Sequence, residues 1–263
     1  MKSALTVLIL FFLFSNSTFS QENFKVIRVN GVILLKAKGT SLETGTVFSE
    51  KEDLLFRTDD ATASVINSKR GRIILTSKNH DLASARSNYL PAMYNIASRA
   101  GSLINIIDLQ NHFSGNYVVL EKQSLLIDKS NFPMDSDHFF FLSYVYKGEI
   151  INKKLKFSGD NLIIDKADLY TVDGKPIPSP DNTAITLFYK KGPENIRINR
   201  FELIFPETTQ LKKEVQIIVD EMVKEPDKVK VNEINAYISE NYGKVYNLNL
   251  LSWLENNYGL RAE

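Results

Sequence analysis

His138-Phe139-Phe140-Phe141-Leu142-Ser143-Tyr144-Val145-Tyr146 runs without a glycine, a proline or a formal charge. Aromatic and β-branched residues in such a run favour a β-strand. Alternation places Phe139 and Phe141 on one face and Phe140, Leu142, Tyr144 and Tyr146 on the other. A strand apolar on both faces is either central and covered, or it offers an aromatic ladder to a glycan or a partner protein. We read it as covered, because an exposed ladder is an aggregation liability. The ladder reading makes Phe140, Tyr144 and Tyr146 candidate binding residues.

The surrounding chain has the same character. Residues 102 to 206 carry further strand-like runs at Tyr117–Leu120, Ser124–Ile127, Lys153–Phe157, Asn161–Ile164, Ala184–Tyr189 and Ile196–Phe205. Turns are marked by Lys147-Gly148, Ser158-Gly159-Asp160, Asp173-Gly174 and Pro178-Ser179-Pro180. Strands with antiparallel-type turns at this spacing predict a β-sandwich-like domain. From 207 to 263 the pattern turns helical. Leu211, Val215, Ile218 and Met222 recur at helical spacing, and Pro226 is expected to stop that helix. Two segments then repeat at a period of 16, Ile234–Gly243 and Leu250–Gly259, each closing on Asn-Tyr-Gly. Each glycine is expected to supply the left-handed residue that ends a helix, with its tyrosine packing back on the last turn. Tyr237 and Trp253, at the fourth place of each segment, form either a twin recognition pair or a small helical core. The core is the favoured reading.

Toward the N-terminus, residues 21 to 83 read as short strands: Phe24–Val29, Val32–Leu35, Leu54–Arg57, Ala61–Ile66 and Arg72–Thr76. The fold class is therefore mainly β: a small N-terminal β domain, a polar linker with one proline over 84–101, the second β domain, and a C-terminal helical appendage. The string Val29-x-Gly31-x-Ile33, then Leu42-x-x-Gly45-x-x-Phe48, Asp53-Leu54-Leu55-x-Arg57-Thr58, Ala63-Ser64-Val65 and Gly71-Arg72-Ile73-Ile74-Leu75, resembles the FecR-like domain. That family pairs a V-x-G-x-V strand with a G-x-x-L-x-x-G-D-x-I-x-T segment and a strand pair around D-G-S-x-L-x-L. This chain departs at the last motif, with Lys69-Arg70-Gly71. The resemblance implies a small SH3-like or FecR-like β barrel serving as an envelope module, without the membrane anchor and cytoplasmic tail of the sigma-regulating members. Locally, Asn30-Gly31 between two apolar runs spells a two-residue hairpin. The family pattern instead implies Gly31 as a kink within one strand, and we adopt the kink.

The first twenty residues read as a secretory signal. Lys2 supplies the positive end, and Ala4 to Phe14 is uncharged and eleven residues long. Such a run is short of the about 20 apolar residues that span a bilayer. Thr18 and Ser20 suit cleavage before Gln21. The expected location is periplasmic or extracellular, with no transmembrane anchor after cleavage. There is no cysteine, which excludes thiol catalysis, thiolate metal sites and disulfides.

Charge and motifs narrow the function. The 263 residues carry 32 Lys+Arg against 31 Asp+Glu, and removing the leader with Lys2 leaves the rest formally neutral. A neutral exported chain is not expected to hold nucleic acid. The basic clusters Lys69-Arg70-x-Arg72, Lys153-Lys154-x-Lys156 and Lys190-Lys191 fit strand edges and turns, where lysine guards against edge pairing. His80, His112 and His138 are the only histidines. Asp108 and His112 would share a helix face but lack a third ligand, and Asp135-Ser136-Asp137-His138 reads as a polar turn opening the next strand. No nucleophile elbow, zinc-binding helix, phosphate-cradling loop or dinucleotide fingerprint is present. The expectation is binding rather than chemistry, with no metal and no cofactor. The partner is another envelope protein or, alternatively, a glycan such as peptidoglycan. A hydrolase with dispersed carboxylates is the reading from another class.

Overall fold

A computed structural model describes residues 22–80, 102–178 and 184–261. The expected leader, the expected 84–101 linker and part of the expected Pro178-Ser179-Pro180 turn lie outside these residues. The chain divides into two compact units between Asn88 and Tyr89, inside the expected linker.

The first unit contains β1 (Asn23–Asn30), β2 (Ile33–Leu35), β3 (Thr40–Ser41), β4 (Val47–Ser49), β5 (Leu54–Phe56), β6 (Thr62–Asn67) and β7 (Gly71–Thr76). They form one sheet in the order β4-β1-β6-β7 and another in the order β3-β2-β5. Gly31 is the corner between the two. β1 pairs with β4 and β6, whereas β2 pairs with β3 and β5, so the Asn30-Gly31 hairpin is excluded. The kink is also sharper than a bend within one strand, because the chain leaves one sheet for another. Gly31 sits at φ +75°, and a Cβ there would lie 2.5 Å from Thr58 Oγ1 and 2.9 Å from the Ala61 Cβ. Only glycine fits that conformation and that gap. Phe24, Val26, Ile33, Leu35, Phe48, Val65 and Leu75 from both sheets close one apolar core. Among the described residues neither sheet closes on itself, so the unit consists of two open sheets sharing a core.

The second unit begins with α1 (Ile106–His112), β8 (Asn116–Val118), β9 (Lys122–Leu126), β10 (His138–Tyr146), β11 (Glu149–Lys154), β12 (Lys156–Ser158) and β13 (Asn161–Asp165). It continues through α2 (Lys166–Leu169), β14 (Thr171–Val172), β15 (Lys175–Pro176), β16 (Ala184–Lys191) and β17 (Glu194–Ile204). The last elements are α3 (Thr208–Glu221), α4 (Asp227–Asn241), β18 (Lys244–Val245) and α5 (Asn247–Tyr258). A mixed sheet runs β11-β10-β16-β17-β8-β18, and a second runs β12-β13-β9. Their facing side chains, among them Phe140, Leu142, Leu187 and Phe201 from the first and Leu125, Leu162 and Ile164 from the second, form one core.

The expected strand over Lys153–Phe157 is in fact two strands. Leu155 is buried and donates its N–H to the Phe140 carbonyl, and beyond it the chain crosses from the six-stranded to the three-stranded sheet. A continuous apolar and basic run hides such a crossing, since both strands keep the same alternation.

The helical stretch belongs to this second unit rather than standing apart as an appendage. β18 joins the large sheet parallel to β8. Asn249 of α5 accepts from the Leu120 N–H and donates to the carbonyls of Leu120 and Lys122, bracing a tight turn in which Glu121 has φ +60°. Pro226 opens α4 rather than merely closing α3, which already ends at Glu221. Its carbonyl accepts from Val229 and Lys230. Of the two closing glycines, Gly259 is a left-handed cap at φ +68°. Gly243 has another cause: a Cβ there would sit against the Asn116 backbone. The two tyrosines reach a neighbouring helix as well. Tyr242 donates to Glu214 and Tyr258 to the Lys212 carbonyl, both on α3, while Tyr258 also packs on Trp253 of its own helix.

Candidate binding face

The alternation in β10 holds in three dimensions. Phe140, Leu142 and Tyr144 point into the core, and Phe139, Phe141 and Ser143 stand half-buried on the opposite, outer face. Strand pairing extends that face sideways, because residues directly opposite in an antiparallel ladder share a side. Phe141 pairs with Lys154 of β11 and with Phe188 of β16, and Phe188 pairs in turn with Arg197 of β17. The next row along is Asn152, Ser143, Thr186 and Arg200, and Lys190 stands opposite Phe139. Beyond them Val145 is 48% and Ile150 71% exposed, so this side of the hairpin opens to solvent.

A bulge makes the two arginines neighbours. Residues 197 and 200 would face opposite ways in an unbroken strand, but the register shifts opposite Leu187 and Phe188, and both arginines emerge on the outer face. The Phe141 and Phe188 rings are stacked with centroids 5.0 Å apart and planes within 8°, and Phe139 meets Phe141 edge-on at 6.3 Å. Lys154 Nζ lies 4.0 Å over the Phe139 ring, a cation–π contact, and donates to the Asp135 carbonyl. Among the described residues, Lys154, Lys190, Arg197 and Arg200 make no ion pair with a carboxylate. The acids stand at the ends of the face: Glu202 at one, Asp135 and Asp137 at the other. The edge-guard reading therefore suits Lys154, on the edge strand β11, but not Lys190, which stands in an interior strand.

No family model, curated protein or solved structure matches this chain.

The residues singled out from sequence do not come together. Phe140 and Tyr144 are core residues; Phe140 packs on Tyr189 and Tyr144 donates its hydroxyl to the Leu169 carbonyl. Tyr146 is half-buried on the same inner side, with Lys147 over its ring. Tyr237 and Trp253 are buried among the helices, which agrees with their reading as a helical core. None of these five presents a ring to the outer face. Phe188, Arg197 and Arg200 were missed from sequence. Alternation in Ala184–Tyr189 could have exposed Phe188, but the bulge that aligns the arginines leaves no sequence signal.

The histidines find other work. Asp135 accepts the N–H groups of Asp137 and His138 and lies 3.0 Å from the His138 ring, forming the polar turn that opens β10. Those bonds hold the Asp135 carboxyl below its ordinary range. His112 and Asp108 do not converge. Asp108 accepts from the Ile104 N–H, while His112 Nε2 lies 2.6 Å from the Tyr117 hydroxyl. Gln123 donates its amide to the Tyr117 oxygen, leaving the phenol hydrogen for His112. Burial, and then the Lys244 ammonium nearby, lower His112 to about 4, and burial raises Tyr117. The imidazole is thus neutral and structural. Among the described residues, no three His, Asp or Glu side chains are grouped as a metal ion would need.

Proposed function

We propose that this is an exported binding protein of the cell envelope, acting without catalysis, whose outer sheet face takes an anionic partner. The observation that carries the reading is the stacked aromatic strip set among four cations that pair with no carboxylate among the described residues. In a chain of formal charge +1, such a local excess is a feature of one face rather than of composition. The leader-like first twenty residues supply the destination, and the FecR-like pattern of residues 29–75 suits an envelope module. The test is expression of the full chain followed by fractionation and sedimentation with isolated envelopes. The expected result is a processed chain beginning at Gln21 that sediments with envelopes, is released by salt, and loses retention in Arg197→Glu/Arg200→Glu. A chain keeping Met1 in the cytosol, or one whose retention is indifferent to that double change, overturns the reading.

A further inference from the structure

We infer that a second copy of this chain pairs along β11, antiparallel about a two-fold axis, with Glu149 of each copy opposite Lys153 of the other. The large sheets of the two copies then run on as one. This pairing does not depend on what the outer face binds. Hydrogen-bond phase, apolar exposure and charge along β11 each point to it.

β11 is the end strand of the six-stranded sheet and pairs, among the described residues, with β10 alone. Tyr146 and Glu149 close a two-residue hairpin, with Lys147 at φ +50° and Gly148 at φ +83°. Such a turn bonds the Glu149 N–H to the Tyr146 carbonyl. Bonding alternates along an antiparallel strand, and the Leu155 N–H on the Phe140 carbonyl keeps the same phase at the far end. Glu149, Ile151 and Lys153 therefore turn their backbone groups toward β10, and Ile150 and Asn152 turn theirs outward. An outward row of this kind is a template for another strand. Beside it Ile150 is 71% exposed, and Val145 opposite it is 48% exposed.

The charges of β11 select a copy of β11 as that strand. Where Ile150 of one copy stands opposite Asn152 of the other, each of the two Ile150–Asn152 pairs exchanges both its backbone bonds. Ile151 then meets Ile151 on the axis, and Glu149 stands directly opposite Lys153, an opposite-charge pair that the symmetry makes twice. The two Ile150 side chains fall on a diagonal, about 7–8 Å apart, and cover apolar surface that a single chain leaves in water. Lys154 falls beside Gly148 of the turn, which has no side chain to oppose it. Neighbouring registers lose these contacts. With Asn152 opposite Asn152, Lys153 meets Ile151 and Lys154 meets Ile150, and neither lysine has an acid. With Asn152 opposite Lys154, Lys153 meets Lys153 directly, which is destabilising. The lysines that guard this edge against other strands thus leave one register open. A foreign strand fits it only if it carries a base opposite Glu149 and an acid opposite Lys153, whereas a second copy carries both by construction.

The experiment is sedimentation velocity of the full chain, as recovered from expressing cells, over a range of concentrations, with amide hydrogen exchange followed by NMR at both ends of the range. The expected result is a reversible dimer with a Kd of about 10–100 µM, as suits a small interface. The Ile150 and Asn152 amides should gain protection as the dimer fills, while the Ile151 amide, already bonded to β10, keeps the protection it has. Asn152→Pro removes an outward N–H that β10 does not use, a change an edge strand tolerates, and should weaken the dimer about tenfold or more. Glu149→Lys and Lys153→Glu should each weaken it about tenfold. The double change Glu149→Lys/Lys153→Glu should restore it to within about threefold of the parent. A chain that stays monomeric to about 1 mM overturns the inference and leaves the edge to a foreign strand or to its lysine guards. A dimer indifferent to Asn152→Pro overturns it in favour of another surface. A dimer that the double change fails to restore overturns the pairing of Glu149 with Lys153, and the choice of a second copy with it.

Discussion

Phe140 and Phe141 are adjacent and identical in kind, yet the large sheet separates them completely. Phe140 is 0% exposed among Phe132, Tyr189 and the rest of the sandwich core. Phe141 lies half-buried on the outer face, stacked on Phe188 and paired across the ladder with Lys154. The inner face is apolar with its polar atoms satisfied internally, as where Tyr144 donates to a backbone carbonyl. On the outer face, Lys154, Lys190, Arg197 and Arg200 make no ion pair with a carboxylate among the described residues. One face is covered by the core; the other is the one to which the proposed function assigns recognition, and the difference is legible only when both are seen on one sheet.

The strongest way to break this comparison is to truncate each neighbour in turn. Phe140→Ala should lower stability by about 3–5 kcal/mol, the cost of emptying a buried aromatic site. Trp253→Ala in the helical layer should cost a similar amount for the same reason. Chemical denaturation measures both; a Trp253→Ala chain as stable as the parent would return the helical tail to the list of docking surfaces.

Acid should attack the inner side next. His112, on α1 against the core tyrosine Tyr117, has a folded pKa of about 4 against 6.5 when exposed. Since the unfolded chain takes up the proton first, stability is full above about pH 6.5 and falls as the pH drops toward 4, by about 2–3 kcal/mol in all. Protonation also removes the acceptor that the Tyr117 hydroxyl uses. A His112→Gln chain should lose that part of the pH dependence. An unchanged stability–pH profile between pH 4 and 7 in this variant would show that the imidazole is not the group responsible.

On the outer face the effects on stability should be small. Phe141→Ala should cost about 1 kcal/mol, because the ring is only half-removed from water. Arg197→Glu should change stability by less than about 0.5 kcal/mol, as befits an exposed charge that makes no ion pair among the described residues. If Phe141→Ala proves as damaging as Phe140→Ala, the two faces are equally covered and the recognition reading fails with the comparison.

Much of this was legible in the residues. The run His138–Tyr146 is a strand with the expected bounds, and its division into two faces is the observed one. Leu211, Val215, Ile218 and Met222 are all buried along one helix and its cap, as their spacing requires. Periodicity reports such things because strand and helix geometry are local. It cannot report which of two apolar faces another sheet will cover, and here it drew attention to Phe140, Tyr144 and Tyr146 while the open face was that of Phe139 and Phe141. Nor could it show that Gly31 and Leu155 carry the chain between sheets, or that a bulge at Ile198 and Asn199 turns Arg197 and Arg200 to one side. These depend on contacts between segments far apart in the chain: Thr58 and Ala61 against Gly31, Phe140 against Leu155, Leu187 and Phe188 against β17. Alternation and helical spacing were thus determined by the sequence itself, through backbone geometry. Burial, sheet membership and the meeting of aromatics with cations were decided by tertiary packing, which places a residue by what lies across from it rather than beside it.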